Sequence, residues 1–438
     1  MRIAWPSMLA RLSRQAGWLL GANLVVFGLA LFQGLLLATS LGPAGFGSLA
    51  LIFAITDVTQ QLLSSRVWEA ATTFVTQHRS NGDPVAAAAI VKICFAADAV
   101  AAVAASALVV ASASWLAVTF IKDPSAADAL RIYALAPIVM IPVATGRAML
   151  RLADRFRWLS IELVAEGVVR LALVVFVLAA VSGNLRAVVL AYLAAAVFGT
   201  AAMVWLVHKA WVILELAPWR EARLLAVPEL GRVIRFMFYS NVSGTFRLLS
   251  GKADVLIVGW FADPAAVGTY RLARTLADPL VALSDPVYQA VYPEMARVVH
   301  GGDTSSIGQL ASTVRAWGWR IIIPVAVVVT VGAGWFIPSA FGSSYAGAVP
   351  LTRILVWQLV WLPYLWVPGL LLALGRARTV TALTAADGIV YVALLILLVP
   401  AFGVTGAAIA TVTRFAAWAS VASAIGRRAI AVPQEVLA

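Results

Sequence analysis

The chain has 438 residues, 62% apolar and only 12% charged, where ordinary soluble domains run at roughly 25% charged. A single compact core stops growing at about 250 to 300 residues, so a chain this long and this apolar must use lipid as part of its solvent, and a soluble fold is excluded. The net charge of +12 is scattered between apolar runs and not gathered on one solvated face, which excludes a nucleic-acid partner, and the single cysteine, Cys94, excludes a disulfide framework or a cysteine-rich metal site.

In chain order, Arg2, Arg11 and Arg14 precede an apolar run from Gly17 to Thr39 that is longer than a signal-peptide core and reads as an uncleaved first span. Runs of spanning length, about 20 residues each, fall near 17–40, 47–77, 85–119, 129–150, 158–181 and 186–207. Six more fall near 232–260, 266–294, 312–336, 349–374, 379–400 and 404–426. Between the two sets lies a polar linker, His208 to Gly231, with Trp211, Trp219, Arg220, Glu221 and Arg223, which reads as an amphipathic segment on the cytoplasmic membrane surface. The expectation is an all-α integral membrane protein of about twelve transmembrane helices, with one lobe over 1–207, a linker over 208–231 and a second lobe over 232–438.

Lys and Arg collect on the cytoplasmic side of membrane proteins. With the N-terminus inside, twenty basic residues fall in cytoplasmic segments, among them the cluster Arg147, Arg151, Arg155 and Arg157, while the external loops hold Lys122, Arg131 and Arg186. That asymmetry predicts N-in, C-in. The segment PAGFGSLAL, Pro43 to Leu51, aligns without a gap to PAAVGTYRL, Pro264 to Leu272, at an offset of 221 residues that also sets Asp57 on Asp278. Duplication of an even number of spans predicts two six-helix lobes related by a pseudo-twofold axis along the membrane normal.

Nine basic residues remain inside spans: Arg66, Lys92, Arg170, Arg247, Lys252, Arg271, Arg274, Arg353 and Arg414. Each costs about 2.5 to 3.5 kcal/mol at a helix centre on the insertion scale, so most must face water, partners or a ligand. Snorkelling accounts for Lys92, Arg66 and Arg353 near helix ends. Ser243, Arg247, Ser250 and Asp254 form one helix stripe, and Arg271, Arg274, Asp278 and Asp285 another. One reading is an arginine-rich chamber for a phosphate-bearing ligand, since guanidinium binds phosphate oxygens bidentately. The competing reading is internal pairing: Arg247 with Asp254, Arg271 or Arg274 with Asp278, and Glu162 or Glu166 with Arg170, the last favoured as structural. Asp57, Asp254, Asp278 and Asp285 are candidates for a coupling proton or sodium ion, Asp57 foremost because no basic residue lies one turn away. Pro137, Pro142, Pro279, Pro286, Pro363 and Pro368 are hinge candidates. The histidines His78, His208 and His300 read as solvated loop residues.

Five segments, TSLGPAGFGSLAL at 39–51, KADVLIVGWFADPAAVGTYRLARTLADPL at 252–280, YPEMARV at 292–298, FGSSYAGAVPLTRILVWQL at 341–359 and PAFGVTGAAIATV at 400–412, carry a resemblance over nearly the whole chain. In order and spacing they resemble the polysaccharide biosynthesis proteins of the multidrug, oligosaccharidyl-lipid and polysaccharide (MOP) exporter superfamily, the Wzx-type flippases. The resemblance implies a bacterial inner-membrane flippase. It would move undecaprenyl-pyrophosphate-linked oligosaccharide to the periplasmic leaflet by alternating access, for O-antigen, capsule or exopolysaccharide synthesis. Its cationic cavity would draw on Arg247, Arg271, Arg274, Arg414, Lys252 and Arg66. Membrane lipids, a polysaccharide polymerase and chain-length proteins are the implied partners; no cofactor or resident metal is expected.

Peptidoglycan-precursor flippases of the superfamily carry fourteen spans, and drug exporters move organic cations that an arginine-rich chamber repels. A membrane enzyme acting on lipid-linked sugars needs a site that these short external loops, with no DxD pair, do not offer; no P-loop is present. A purely structural scaffold leaves the buried arginines unexplained.

Overall fold

In the computed structural model the backbone is described for residues 5–64, 67–181, 184–222, 227, 230–282 and 304–431; side chains at 5–16, 242–243, 246–247, 249–250, 282, 304–307, 310, 377 and 430–431 fall outside the description. Arg66, Asp285, Pro286, His300 and the 292–298 segment lie outside the described residues. The described chain is helical almost throughout and shows no strand. Helices satisfy every backbone N–H and C=O internally, which lipid demands. Eight helical stretches among the described residues are long and apolar enough to cross a membrane. Their outward faces are apolar, as with Trp335, which is 77% exposed.

Two of those stretches are much longer than a bilayer is thick and are broken inside by glycine. In Trp5–Leu63, Gly42 takes φ 66° and ψ 178°, and in Ala377–Ala431, Gly403 takes φ 58° and ψ −140°. A residue with a Cβ is strained at such positive φ, so glycine permits the reversal. At Gly42, Pro43 then restarts the helix with its φ already fixed. The helices Leu230–Phe261 and Pro264–Ala282 fall outside the eight because they carry Arg232, Arg235, Arg247, Lys252, Asp254, Arg271, Arg274 and Asp278. Asp-Pro opens several elements: Asp83 caps Ala86 N at 2.8 Å before Pro84, Asp123 caps Ser125 N at 2.8 Å before Pro124, and Asp263 caps Ala266 N at 2.7 Å before Pro264. The prolines act unevenly: helices Ala136–Val139 and Ile141–Leu152 are separated at Met140 beside Pro137 and Pro142, Pro363 lies in a 3-10 segment, and Pro279 sits inside an unbroken helix.

The described chain forms two compact units, 1–41 with 52–245, and 42–51 with 246–438. In the first, an apolar cluster joins Ala87, Cys94, Met149 and Met203 to Leu214, Leu216, Ala217 and Ala222 of the interhelical linker. Its described part is a folded strap. Lys92 Nζ donates to Trp219 O at 2.7 Å and to Ala222 O at 2.8 Å, and lies 4.7 Å from the Trp219 ring centroid. Lys92, read from the sequence as a snorkelling residue, is the clamp that holds the strap. His78 is buried, correcting its reading as a solvated loop residue: it lies in the helix Thr76–Ser80, not in a loop.

In the second unit the two copies of the repeated segment pack on each other at Gly47 and Gly268. A Cβ on Gly47 would overlap Pro264 O, and a Cβ on Gly268 would overlap Pro43 O. With the 221-residue offset, these two contacts are the same contact with the copies exchanged. The segment pair therefore has local twofold character.

Candidate functional site

The second unit buries a polar network at the meeting of Leu230–Phe261, Pro264–Ala282 and both arms of Ala377–Ala431. Its centre is Asp254, whose side chain is 1% exposed. Tyr270 Oη donates to Asp254 Oδ2 at 2.7 Å, Val255 N donates to Oδ1 at 2.9 Å, and Arg274 Nη1 stands 3.4 Å from Oδ2. Arg274 also donates through Nε to Asp278 Oδ2 at 3.1 Å, one turn on. Tyr270 and Tyr391 both meet Thr411 Oγ1, at 3.4 and 2.9 Å. Beyond Tyr391, Arg414 pairs with Asp387 at 3.4 Å and lies 4.5 Å from the ring centroids of both Tyr391 and Phe415.

The periodicity of the elements explains the convergence. Asp387 and Tyr391 are one turn apart before the Gly403 break, and Thr411 and Arg414 one turn apart after it, so each arm turns one polar stripe inward. The two stripes read from the sequence meet as well, through Asp254 and Arg274. Within this set the arginines differ. Arg274 and Arg414 side chains are 14% and 11% exposed and each faces a carboxylate, whereas Arg271, one turn before Arg274, is exposed. Lys252 is partly buried on the same helix as Asp254. Arg247 lies on that helix too, with its side chain outside the described residues.

The first unit has its own network. Arg147 Nη2 pairs with Glu162 at 3.1 Å and Glu166 at 3.2 Å, and Arg170 pairs with Glu166 at 3.7 Å while its Nε donates to Gln33 Oε1 at 3.4 Å. Arg170 thus meets Glu166, one of the two partners the sequence offered, and Arg147, counted from the sequence among the loop charges, joins the same network. Gly199 leaves the room: a Cβ there would lie 2.9 Å from Glu166 Cγ. Asp57 lies within electrostatic reach of Tyr133, a neighbour that the tertiary fold supplies. Elsewhere, Thr145 Oγ1 donates to the buried Asp98 at 2.8 Å, and Arg353 donates to Thr330 O at 3.0 Å. Among the described residues no group of three or more His, Cys, Asp and Glu is arranged to hold a metal ion.

A sequence profile described as polysaccharide biosynthesis protein matches residues 36–350. The chain belongs to that family. Solved structures similar to it are MOP superfamily transporters. A multidrug resistance MATE family transporter in an inward-facing conformation aligns with TM-score 0.78 at 13% identity, covering 94% of this chain and 96% of that one. The lipid II flippase MurJ, in an inward closed conformation, aligns with TM-score 0.73 at 12% identity over 93% and 88%. A MOP superfamily transporter from Pyrococcus furiosus aligns with TM-score 0.62 at 13% identity over 94% and 95%. No curated protein sequence matches the chain. The family member is thus a multi-pass membrane protein with the MOP transporter fold.

Proposed function

We propose that the protein carries undecaprenyl-pyrophosphate-linked oligosaccharide from the cytoplasmic to the periplasmic leaflet of the bacterial inner membrane by alternating access, for O-antigen, capsule or exopolysaccharide synthesis. Family membership over residues 36–350 carries this reading, and the placement of cations in the second unit supports it. Arg271 offers an exposed guanidinium to the pyrophosphate, with Arg247, Lys252 and Arg66 as further contacts. Arg274 and Arg414, braced by Asp254, Asp278 and Asp387, hold the frame and add to the positive field. Asp278, the more exposed acid on Arg274 at 41%, together with Asp57, Asp254 and Asp285, is a candidate carrier of a coupling proton or sodium ion.

With the two glycine breaks and the two polar helices counted, the eight apolar stretches make twelve spans, N-in and C-in. The reciprocal contact of Gly47 and Gly268 supports duplication of the segment that carries them. Polysaccharide polymerase and chain-length proteins are the partners proposed for the product side.

The test is a leaflet assay in proteoliposomes with an enzyme-accessible lipid-pyrophosphate sugar. Arg271→Ala is expected to slow flipping about tenfold or more, the scale of one lost charge-assisted contact, with an unchanged melting temperature. A new glycosidic product in place of movement would show a membrane-embedded enzyme. Export of an organic cation without lipid movement would show a drug exporter.

A further inference from the structure

The helix Phe156–Val181 packs closely against the first arm of Trp5–Leu63 at one level. A Cβ on Gly167 would lie 3.2 Å from Leu29 Cδ1. Toward the start of both helices the two part, leaving a cavity of about 840 Å³ walled by Gly17, Trp18 and Gly21 on one side and Ser160, Val164 and Val168 on the other. No atom lies within 4 Å of where a Cβ on Gly17 or Gly21 would sit, so the missing side chains keep the groove open. From Ser160 to Val169 the wall runs about 14 Å at the helical rise, close to half of the roughly 30 Å hydrocarbon core. The groove therefore has the depth of one leaflet, and its volume is that of a ligand site.

Ser160 is the polar residue of its lining, and Arg157, one turn before Ser160, lies beside the lining residue Trp18. Arg157 is stacked 5.5 Å from the Trp18 ring centroid, and among the described residues no carboxylate pairs with it. Ser160 is 3% exposed, and its Oγ has no hydrogen-bond partner among the described residues. Arg157, Ser160, Val164 and Val168 follow i, i+3, i+7 and i+11, one face of the helix.

We propose that this groove binds one anionic glycerophospholipid of the bilayer. The phosphate lies against Arg157, an ester carbonyl accepts from Ser160 Oγ, and an acyl chain runs along Val164 and Val168. The one-leaflet depth of the groove argues for a glycerolipid, whose acyl chains have that length, over a longer prenyl chain. Arg157 argues for an anion over a packed helix, whose backbone carbonyls are already used.

The experiment uses the full-length protein in phosphatidylcholine nanodiscs doped with phosphatidylglycerol bearing a photoreactive acyl chain, with labelled peptides mapped after irradiation. Label is expected on 17–25 and 160–169, competed by phosphatidylglycerol and not by phosphatidylcholine. Gly21→Leu and Gly17→Leu put side chains into the groove, with nothing within 4 Å of the added Cβ, and should each remove that label. Arg157→Gln should lower the preference for phosphatidylglycerol about fivefold, the scale of one basic residue at an anionic surface. Equal competition by phosphatidylcholine with no effect of Arg157→Gln overturns the proposal. So does displacement by undecaprenyl phosphate at lower concentration than phosphatidylglycerol, or cross-linking of two copies through 17–25. None of these readouts depends on flipping, so the site stands or falls apart from the transport reading.

Discussion

Arg274 shows how a costly residue becomes a fixed one. An arginine inside a span is tolerated when its charge is matched and its donors used, and Asp254 and Asp278 do both within 3.4 Å. Removing one member of such a buried pair leaves the other uncompensated, at a cost of about 3 to 5 kcal/mol, whereas replacing both with apolar residues of like volume is often neutral. Arg274→Met is therefore expected to lower the melting temperature in detergent sharply, and Arg274→Met with Asp254→Leu to recover most of the loss. A single variant as stable as the double would show that the pair contributes nothing. Arg414 is matched differently, by Asp387 and by two aromatic faces; Arg271, exposed and one turn away, is the arginine whose loss should affect transport and not stability.

Among the elements, the glycines divide by what surrounds them. Gly268 and Gly47 sit where two helix starts touch through their backbones, and a Pro43 carbonyl cannot swing aside as a flexible side chain does. Gly268→Ala should cost about 1 to 3 kcal/mol, the range for overpacking, read as a lower thermal midpoint. Gly28→Ala, with nothing within 4 Å of the added carbon, should leave it unchanged or slightly raised, since alanine is the better helix former. Equal midpoints for the two variants would remove the case for a tight crossing of the repeated segments. The strap is a second element whose place is set by contacts far apart in sequence: Lys92 reaches two of its carbonyls, and Trp219 packs on Trp211 and Phe95 with ring centroids 5.3 and 6.1 Å apart.

For the whole molecule, the proposed N-in, C-in orientation rests on the loop charges. Two of the three basic residues assigned to external loops, Arg131 and Arg186, pair with one carboxylate, Asp128, at 2.9 and 2.8 Å, so little positive charge is left on that side. Arg155 and Arg157, assigned to the cytoplasmic side, are exposed. In intact cells a membrane-impermeant maleimide should label Ser125→Cys at once and Arg155→Cys after permeabilisation alone. The native Cys94 is buried, so the background should be low. The reverse pattern would invert the topology.

Composition and spacing settled the solvent and the family, because both are sums over many residues. Apolar runs of spanning length, and segments such as 39–51 and 252–280 in fixed order, survive the loss of any one position. The residues to watch were legible too, since a charge within a span is conspicuous wherever it points. What the fold decided was pairing. Along the chain, Asp254 has Arg247 two turns before it, yet Arg274 of the next helix meets it at 3.4 Å, and Tyr270, Tyr391 and Thr411, silent in an apolar sequence, complete its surroundings. Arg147 looked like a loop charge and joined Glu162; Lys92 looked like a snorkelling residue and clamped the strap. A helix stripe fixes which face a side chain is on, and only the packing of another helix fixes what it finds there.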